Sequence, residues 1–208
     1  MIAYQARNLA CLRGGRLVFQ DVSFDLEPGA ALRVIGPNGS GKSSLLRLLA
    51  GLSPPFDGHC GWLGARADDR RDAVSLLGHA NGQKAALTPL EDLDFWARLA
   101  DRREGLARAR LALEAFGLAP LADTPQRYLS QGQKRRAALA RLLVAPSRLW
   151  LLDEPTVGLD SGAVGLLEGQ VRRHLDGGGM VVASTHLAFD LPGAATLDMA
   201  AHQPAEAW

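Results

Sequence analysis

The chain has 208 residues, 47% of them hydrophobic, with 23 basic against 22 acidic side chains. This hydrophobic content suits a folded domain with a buried core and excludes a disordered protein. The balanced charge offers no basic surface for nucleic acid, and the sequence has no run of about 18 apolar residues, the length of a membrane-spanning helix.

The first predicted elements are those of an α/β domain. Apolar and polar residues alternate in RLVFQDVSFDLEPG, which predicts a half-buried strand closed by a Pro-Gly turn. ALRVI at 31–35 predicts a short buried strand, a glycine-rich stretch follows directly, and SSLLRLLAGL at 43–52 predicts a helix. A strand, a glycine loop and a helix in this order make the first βα unit of a parallel sheet.

The middle of the chain, residues 84–145, is predicted to be mostly helical. Leu106, Ala109, Leu113 and Phe116 recur at helical spacing within it. RLWLLDE at 148–154 and GGMVVAST at 178–185 then predict two more buried strands with a helix between them. The pattern favours a parallel-sheet core interrupted by a helical insertion.

The stretch GPNGSGKS at 36–43 fits the P-loop pattern in full, with a predicted strand before it and a helix after it. Backbone N–H groups of such a loop surround phosphates, and the helix dipole favours their negative charge. Lys42 can reach the β- and γ-phosphates, and the Ser43 hydroxyl can hold Mg²⁺. The predicted nucleotide-binding residues are Gly36, Pro37, Asn38, Gly39, Ser40, Gly41, Lys42, Ser43 and Ser44.

Three polar residues follow two of the buried strands. Asp153 ends LWLLD, where a carboxylate can hold Mg²⁺, and Glu154 follows it and can polarise an attacking water. His186 follows the next strand, and its side chain is expected at the same carboxyl edge of the sheet as the phosphates. We expect Glu154 and His186 to be catalytic, with His186 contacting the γ-phosphate and orienting Glu154.

A second anion-binding turn, LSQGQ at 129–133, precedes a predicted helix. Because it lies in the helical insertion, we expect it not to reach Lys42 of its own chain. Two copies arranged head to tail would complete each other's nucleotide sites, so the sequence predicts a homodimer that encloses two nucleotides. The residues expected to act across that interface are Ser130, Gln131, Gly132 and Gln133.

These motifs together resemble the ATP-binding cassette (ABC) family. GPNGSGKS is similar to its Walker A motif, LSQGQ to its signature, LWLLDE to its Walker B motif, and GLD at 158–160 to its D-loop, with Asp160 as the D-loop aspartate. His186 matches the switch histidine. The resemblance implies an ATPase that uses ATP and Mg²⁺.

The implied fold is α/β. It consists of a P-loop NTPase core with a helical subdomain at about 84–145 and an N-terminal antiparallel β subdomain, all within one domain over residues 1–208.

Two positions depart from the family's pattern. Arg13 stands where many members stack an aromatic ring on adenine, and its guanidinium can also stack. His79 stands at the position of the Q-loop glutamine, which makes it a candidate contact to Mg²⁺ or its water.

GHANGQKAALTPLEDLDFW at 78–96 is similar to the ATP-binding subunits of bacterial haem exporters used in cytochrome c maturation. This similarity implies integral membrane subunits as partners and a peripheral position on the cytoplasmic face of the inner membrane. ATP hydrolysis would then drive haem export or the release of a haem-loaded chaperone. The ATPase of another ABC exporter, and a soluble ABC ATPase not coupled to transport, are the alternatives.

Overall fold

The computed structural model describes residues 4–63, 74–78, 82–100, 104–145, 147–185 and 189–204. Within these ranges the chain forms two β-sheets and five α-helices. None of the helices in this part of the chain is long and apolar enough to cross a bilayer.

A three-stranded antiparallel sheet forms the N-terminal part of the molecule. Its strands, in spatial order, are β2 (Arg16–Leu26), β1 (Tyr4–Arg13) and β4 (Asp57–Trp62). The Tyr4 hydroxyl donates a hydrogen bond to the carbonyl of Leu49 at 2.7 Å, which attaches this sheet to the helix that follows the P-loop stretch.

Five parallel strands form the central sheet. In spatial order they are β5 (Val74–Leu77), β6 (Leu149–Asp153), β7 (Met180–Ser184), β3 (Ala31–Ile35) and β8 (Ala195–Asp198). β6 and β7 are buried along their whole length, which explains their almost continuous apolar sequences. The carboxyl ends of parallel strands meet at one edge, where ligands bind in sheets of this kind.

The helices connect the strands of the parallel sheet. α1 (Lys42–Leu49) follows β3, and α5 (Ser161–Asp176) connects β6 to β7. Between β5 and β6 the chain forms α2 (Pro89–Leu99), α3 (Gly105–Ala115) and α4 (Gln131–Val144). A buried ion pair between Arg141 and Asp92, with N and O 2.7 Å apart, holds α4 against α2.

Two groups of buried apolar side chains lie on opposite faces of the parallel sheet. Trp150 and Leu152 of β6 pack with α2 to α5, whereas Leu149 and Leu151 pack with α1 and the antiparallel sheet. This alternation follows from the two-residue period of a strand. The sheet is therefore covered on both faces.

The predicted fold class is confirmed: a parallel α/β core, a helical segment between two of its strands, and an N-terminal antiparallel sheet. One detail of the helical pattern is wrong. Leu106 lies in the first turn of α3 and is 49% exposed, while Ala109, Leu113 and Phe116 are buried as expected. β5 and β8 had no clear signal in the sequence.

Candidate nucleotide site

The stretch GPNGSGKS runs from the end of β3 into the first turn of α1, and it packs against β2. Gly41 has a φ of 97°, and a Cβ atom there would come within 2.7 Å of Cδ1 of the buried Phe19. Any other residue would have to adopt a left-handed conformation and also displace this phenyl ring. Contact with the antiparallel sheet therefore fixes the course of the loop.

Lys42 is the first residue of α1, and its side chain turns back into the loop. Its Nζ donates to the carbonyl oxygens of Gly36 at 2.8 Å and Pro37 at 3.0 Å. Ser40 is fully buried, and its Oγ has no hydrogen-bond partner among the described residues. Within the described part of the chain, the Lys42 ammonium is bonded only to loop carbonyls, and the buried Ser40 hydroxyl has no partner. Both features suit a loop that binds a ligand.

Asp153 ends β6 at the same edge of the sheet as the loop. It is paired in register with Ser184 of β7, whose Oγ donates to its Oδ1 at 2.7 Å. β7 lies between β6 and β3, so the strand ends that lead to Asp153 and to the loop are close in the sheet. The Ser43 hydroxyl, which is exposed, and the Asp153 carboxylate are oxygen donors that fit Mg²⁺, because Mg²⁺ takes few protein ligands together with phosphate.

Glu154 follows β6 with its backbone in a left-handed conformation, at φ 46°. This conformation costs a residue with a side chain about 1–2 kcal/mol. Its N–H donates to the backbone oxygen of Ser184 at 3.1 Å and lies 3.1 Å from the Ser184 Oγ, which also accepts. Ser184 thus holds both acidic residues of the site, and its role was missed because serine in an apolar strand carries no motif.

Arg135 of α4 is a second residue at the site that the motifs did not reveal. Its guanidinium is buried and donates to the carbonyl oxygens of Gly78, Asp153, Glu154 and Pro155 at 2.9–3.3 Å. Burial lowers the pKa of this guanidinium, and the carboxylates of Asp153 and Glu154 oppose the shift. A charged residue four positions before Leu139, on the buried face of α4, is the sequence signal that marks it.

LSQGQ forms the start of α4. Ser130 caps the helix: its Oγ accepts from the Gln133 N–H at 3.2 Å, and the Gln133 side chain accepts from the Ser130 N–H at 2.8 Å. A Cβ atom on Gly132 would lie 3.0 Å from the carbonyl oxygen of Gly158. The predicted signature and D-loop stretches of one chain are therefore in contact with each other.

Asp160 has a structural function within its own chain. It caps α5, accepting a hydrogen bond from the Ala163 N–H at 2.8 Å. Capping fixes the D-loop stretch at the start of this helix, where it lies beside Gly132.

Three predicted site residues remain, of which the structure describes Arg13 but not His79 or His186. Arg13 ends β1 and is exposed, and α1, which begins within the phosphate loop, packs against β1. His79 and His186 lie outside the described residues. The strands that precede them, β5 and β7, both end at the carboxyl edge of the sheet.

A family model described as "ABC transporter" matches residues 19–157, which is more than half of the chain. The chain belongs to the ABC transporter family. The matched region contains the predicted Walker A, signature and Walker B stretches of this ABC protein, whereas the D-loop aspartate and His186 follow it.

Several curated ABC proteins are similar to the chain over nearly its whole length. A protein of Paramagnetospirillum magneticum is 51% identical over 202 residues, covering 94% of this chain and 93% of the relative. A protein of Rhodospirillum rubrum is 50% identical over 198 residues, covering 93% and 84%. A third, from Dechloromonas aromatica, is 48% identical over 192 residues, covering 90% and 94%. Each is named "Cytochrome c biogenesis ATP-binding export protein CcmA".

Solved structures of ABC proteins share the fold. An ABC transporter ATP-binding protein from Pyrococcus furiosus superposes with a TM-score of 0.85 at 21% identity, covering 97% of this chain and 100% of that one. The ATP-binding subunit of another ABC transporter gives a TM-score of 0.76 at 24% identity, covering 88% and 79%. At these identities the likeness concerns the fold alone.

Proposed function

We propose that this chain is the ATP-hydrolysing subunit of an ABC-type membrane complex that handles haem for cytochrome c maturation. The observation that supports this most strongly is the identity of 48–51%, over 90–94% of the chain, to three relatives named as cytochrome c biogenesis ATP-binding export proteins. The task of the complex is haem export or the release of a haem-loaded chaperone.

The proposed reaction is transfer of the γ-phosphoryl group of ATP to water. Lys42 and the N–H groups of the loop hold the phosphates, and Glu154 polarises the attacking water and accepts its proton. His186 contacts the γ-phosphate and orients Glu154. The bond between the γ-phosphorus and the bridging oxygen breaks, and ADP leaves.

Mg²⁺, when bound, neutralises negative charge on the β- and γ-phosphates. Ser43 and Asp153 are the residues that would hold it, with His79 as a further contact. The 2.7 Å hydrogen bond from Ser184 orients the Asp153 carboxylate before any ligand arrives. Arg13 is the proposed contact to adenine.

The functional unit is proposed to be a homodimer with two shared nucleotide sites. In each site the P-loop of one subunit faces Ser130, Gln131, Gly132 and Gln133 of the other. Asp160 lies in the stretch next to Gly132, so it would also lie at this interface. The whole chain, 1–208, acts as one ABC ATP-binding domain, with 84–145 as its helical subdomain.

The dimer is proposed to bind integral membrane subunits at the cytoplasmic face of the bacterial inner membrane. To test this, the full chain carrying an affinity tag is purified from membranes of its own bacterium, and the co-purifying integral proteins are identified. Haem-handling membrane proteins are the expected result. Recovery with the subunits of an unrelated exporter, or recovery only from the soluble fraction, would contradict the proposal.

A genetic test addresses the haem assignment directly. In a strain that lacks the chain, c-type cytochromes should be absent and b-type cytochromes, which need no covalent haem attachment, should be unchanged. The wild-type chain should restore the c-type cytochromes, whereas Glu154→Gln should not. Normal c-type cytochromes in the strain without the chain would exclude the haem assignment.

A further inference from the structure

Arg135 connects the helical segment to the ends of strands β5 and β6. It belongs to α4, the helix that begins with the signature stretch, but its hydrogen bonds reach the ends of two sheet strands. Nη1 donates to the Gly78 carbonyl at 2.9 Å, directly after β5. Nη2 donates to the carbonyls of Asp153 at 3.0 Å and Glu154 at 2.9 Å, at the end of β6.

The Glu154 backbone is held from both sides. Its N–H is bonded to Ser184 of β7, and its carbonyl is bonded to Arg135 of α4. Nε of Arg135 also donates to the next carbonyl, that of Pro155, at 3.3 Å. Because Glu154 is in a left-handed conformation, such contacts are needed to keep it there.

We propose that Arg135 is a positioning residue through which the signature helix α4 sets the place of the Glu154 carboxylate. This inference rests on the proposed role of Glu154 as the base that polarises water. A movement of α4 relative to the sheet, when the facing subunit or a membrane subunit docks, would change the Glu154 backbone through these bonds. The same movement would also act on Gly78, the residue before His79.

An arginine is suited to this task for a geometric reason. Its planar group presents five N–H donors in a fixed fork, so one side chain can bond several carbonyls in different directions. A lysine ammonium has three donors on a flexible stem and cannot reproduce the fork. The four hydrogen bonds described above all end on backbone oxygens, so they connect Arg135 to the backbone of the strand ends.

The test compares Arg135→Met with Arg136→Met. Arg136 is the adjacent residue of the same helix, and it donates to the Phe116 carbonyl at 3.0 Å, at the end of α3, within the helical segment. Both variants lose one arginine, but only the first loses the bonds to the strand ends. The full chain is purified with its membrane subunits, and kcat, the Kd for MgATP and Tm are measured for each.

Arg135→Met should lower kcat by about 10- to 100-fold, since a misplacement of about 1 Å in an active site has effects of that size. Its Kd for MgATP should stay within about threefold of wild type, because Lys42 and the loop are untouched. Arg136→Met should keep kcat within about twofold. Equal kcat values for the two variants would overturn the proposal.

Arg135→Lys is the second variant, needed in case Arg135→Met does not fold. It retains the charge, so we expect it to fold with a Tm near that of wild type while its kcat stays at least about tenfold low. Wild-type kcat in this variant would mean that the fork of bonds is unnecessary, and the proposal would fail.

A double-mutant cycle with Glu154→Gln separates a positioning function from general damage. If Arg135 acts through Glu154, adding Arg135→Met to Glu154→Gln should lower the residual rate by less than about twofold. A further 10- to 100-fold loss would show an independent effect and reject the inference. Near wild-type turnover of Glu154→Gln alone would instead reject the proposed base, and with it the positioning function that depends on it.

Discussion

At the scale of single residues, the site is organised by contacts to the backbone as much as by the side chains proposed to bind ATP. Ser184 is fully buried and bonds both to the Asp153 carboxylate and to the N–H of Glu154. Arg135 bonds the carbonyls on the other side. The Asp153 carboxylate and the Glu154 backbone are therefore held in place before a substrate arrives, which would lower the cost of reaching a reactive geometry.

Glu154→Gln tests the proposed base. Glutamine has nearly the same shape and cannot accept the proton, so turnover should fall by about 10² or more, the size of a lost general base. MgATP affinity should be retained, and ATP-bound dimers should accumulate and be visible by size-exclusion chromatography. A variant that hydrolyses ATP near the wild-type rate would remove Glu154 from the catalytic role.

His174 of α5 provides a pH-dependent test of stability. Its ring stacks on Trp150 with centroids 3.9 Å apart and planes 6° apart. Burial lowers its pKa, and the nearby backbone of Met180 and Arg148 opposes this shift only in part. The unfolded chain therefore binds this proton more readily, so stability falls as the pH drops from about 6.5, the unfolded pKa, towards the lower folded pKa.

His174→Phe keeps an aromatic ring that does not titrate. We expect its free energy of unfolding in urea to depend less on pH than that of wild type, between about pH 7.5 and 5.5. The comparison concerns the slope, so a change in overall stability does not affect it. Parallel slopes for the two proteins would contradict the assignment.

Motifs predicted the residues that are expected to touch the nucleotide, because phosphate binding requires particular residue types at fixed spacing. Lys42, Asp153 and Glu154 could be named for that reason. Arg135 and Ser184 could not, because their functions depend on which strand and helix lie beside them in the fold. Tertiary neighbours of this kind leave only a weak signal, such as an arginine on an otherwise apolar helix face.

At the scale of elements, the strands that were predicted are those with a complete local signal. β6 and β7 are continuous apolar runs, and β3 is followed at once by the glycine loop. β8 has four residues, three of them exposed, at the edge of the sheet, and the alternation in ATLD is too short to predict a strand. Leu106 followed the helical period but lies at the first turn of α3, where the helix has not yet reached the core.

The packing of the phosphate loop on β2 predicts a difference between two of its glycines. Gly39 and Gly41 have φ of 82° and 97°, but only a Cβ at Gly41 would meet neighbours, at 2.7 Å from Phe19 and 2.9 Å from Val18. Gly39→Ala should lower the free energy of unfolding by about 1 kcal/mol for its backbone conformation alone. Gly41→Ala should cost roughly 1–3 kcal/mol more, from overpacking.

Urea denaturation of the two variants, monitored by tryptophan fluorescence, measures this difference. The two substitutions add the same methyl group two residues apart, so each is the control for the other. Equal losses would mean that the loop does not depend on its contact with the antiparallel sheet.

At the scale of the whole molecule, the two predicted anion-binding turns lie in different parts of the chain. The P-loop follows β3 of the central sheet, whereas LSQGQ starts α4 in the helical segment between β5 and β6. Ser130 and Gln133 bond each other at this helix start, and Gly132 contacts the D-loop stretch of its own chain. These contacts fix the start of α4, and in the proposed dimer the second copy of the chain would place the phosphates of its bound nucleotide against this helix start.

Ser130→Arg tests whether LSQGQ acts on the facing subunit. The Lys42 site of the same chain is unaltered, so MgATP affinity of the monomer should stay within about threefold of wild type. The arginine side chain would enter the opposite γ-phosphate pocket, so dimer closure should be blocked and turnover should fall by about 10² or more. Equilibrium nucleotide binding and steady-state hydrolysis are measured on the same preparation.

Ser130→Ala is the matched control for this variant, because Ser130 also caps α4. Both substitutions remove the capping hydroxyl and should lower stability by about 1 kcal/mol. Only the arginine adds bulk at the interface, so the alanine variant should retain far more turnover than the arginine variant. If the two variants lose turnover equally, the loss comes from the cap or the hydroxyl, and steric exclusion across a dimer is not its cause. If affinity and turnover of Ser130→Arg fall together, the turn serves the nucleotide site of its own chain, and the shared-site dimer is wrong.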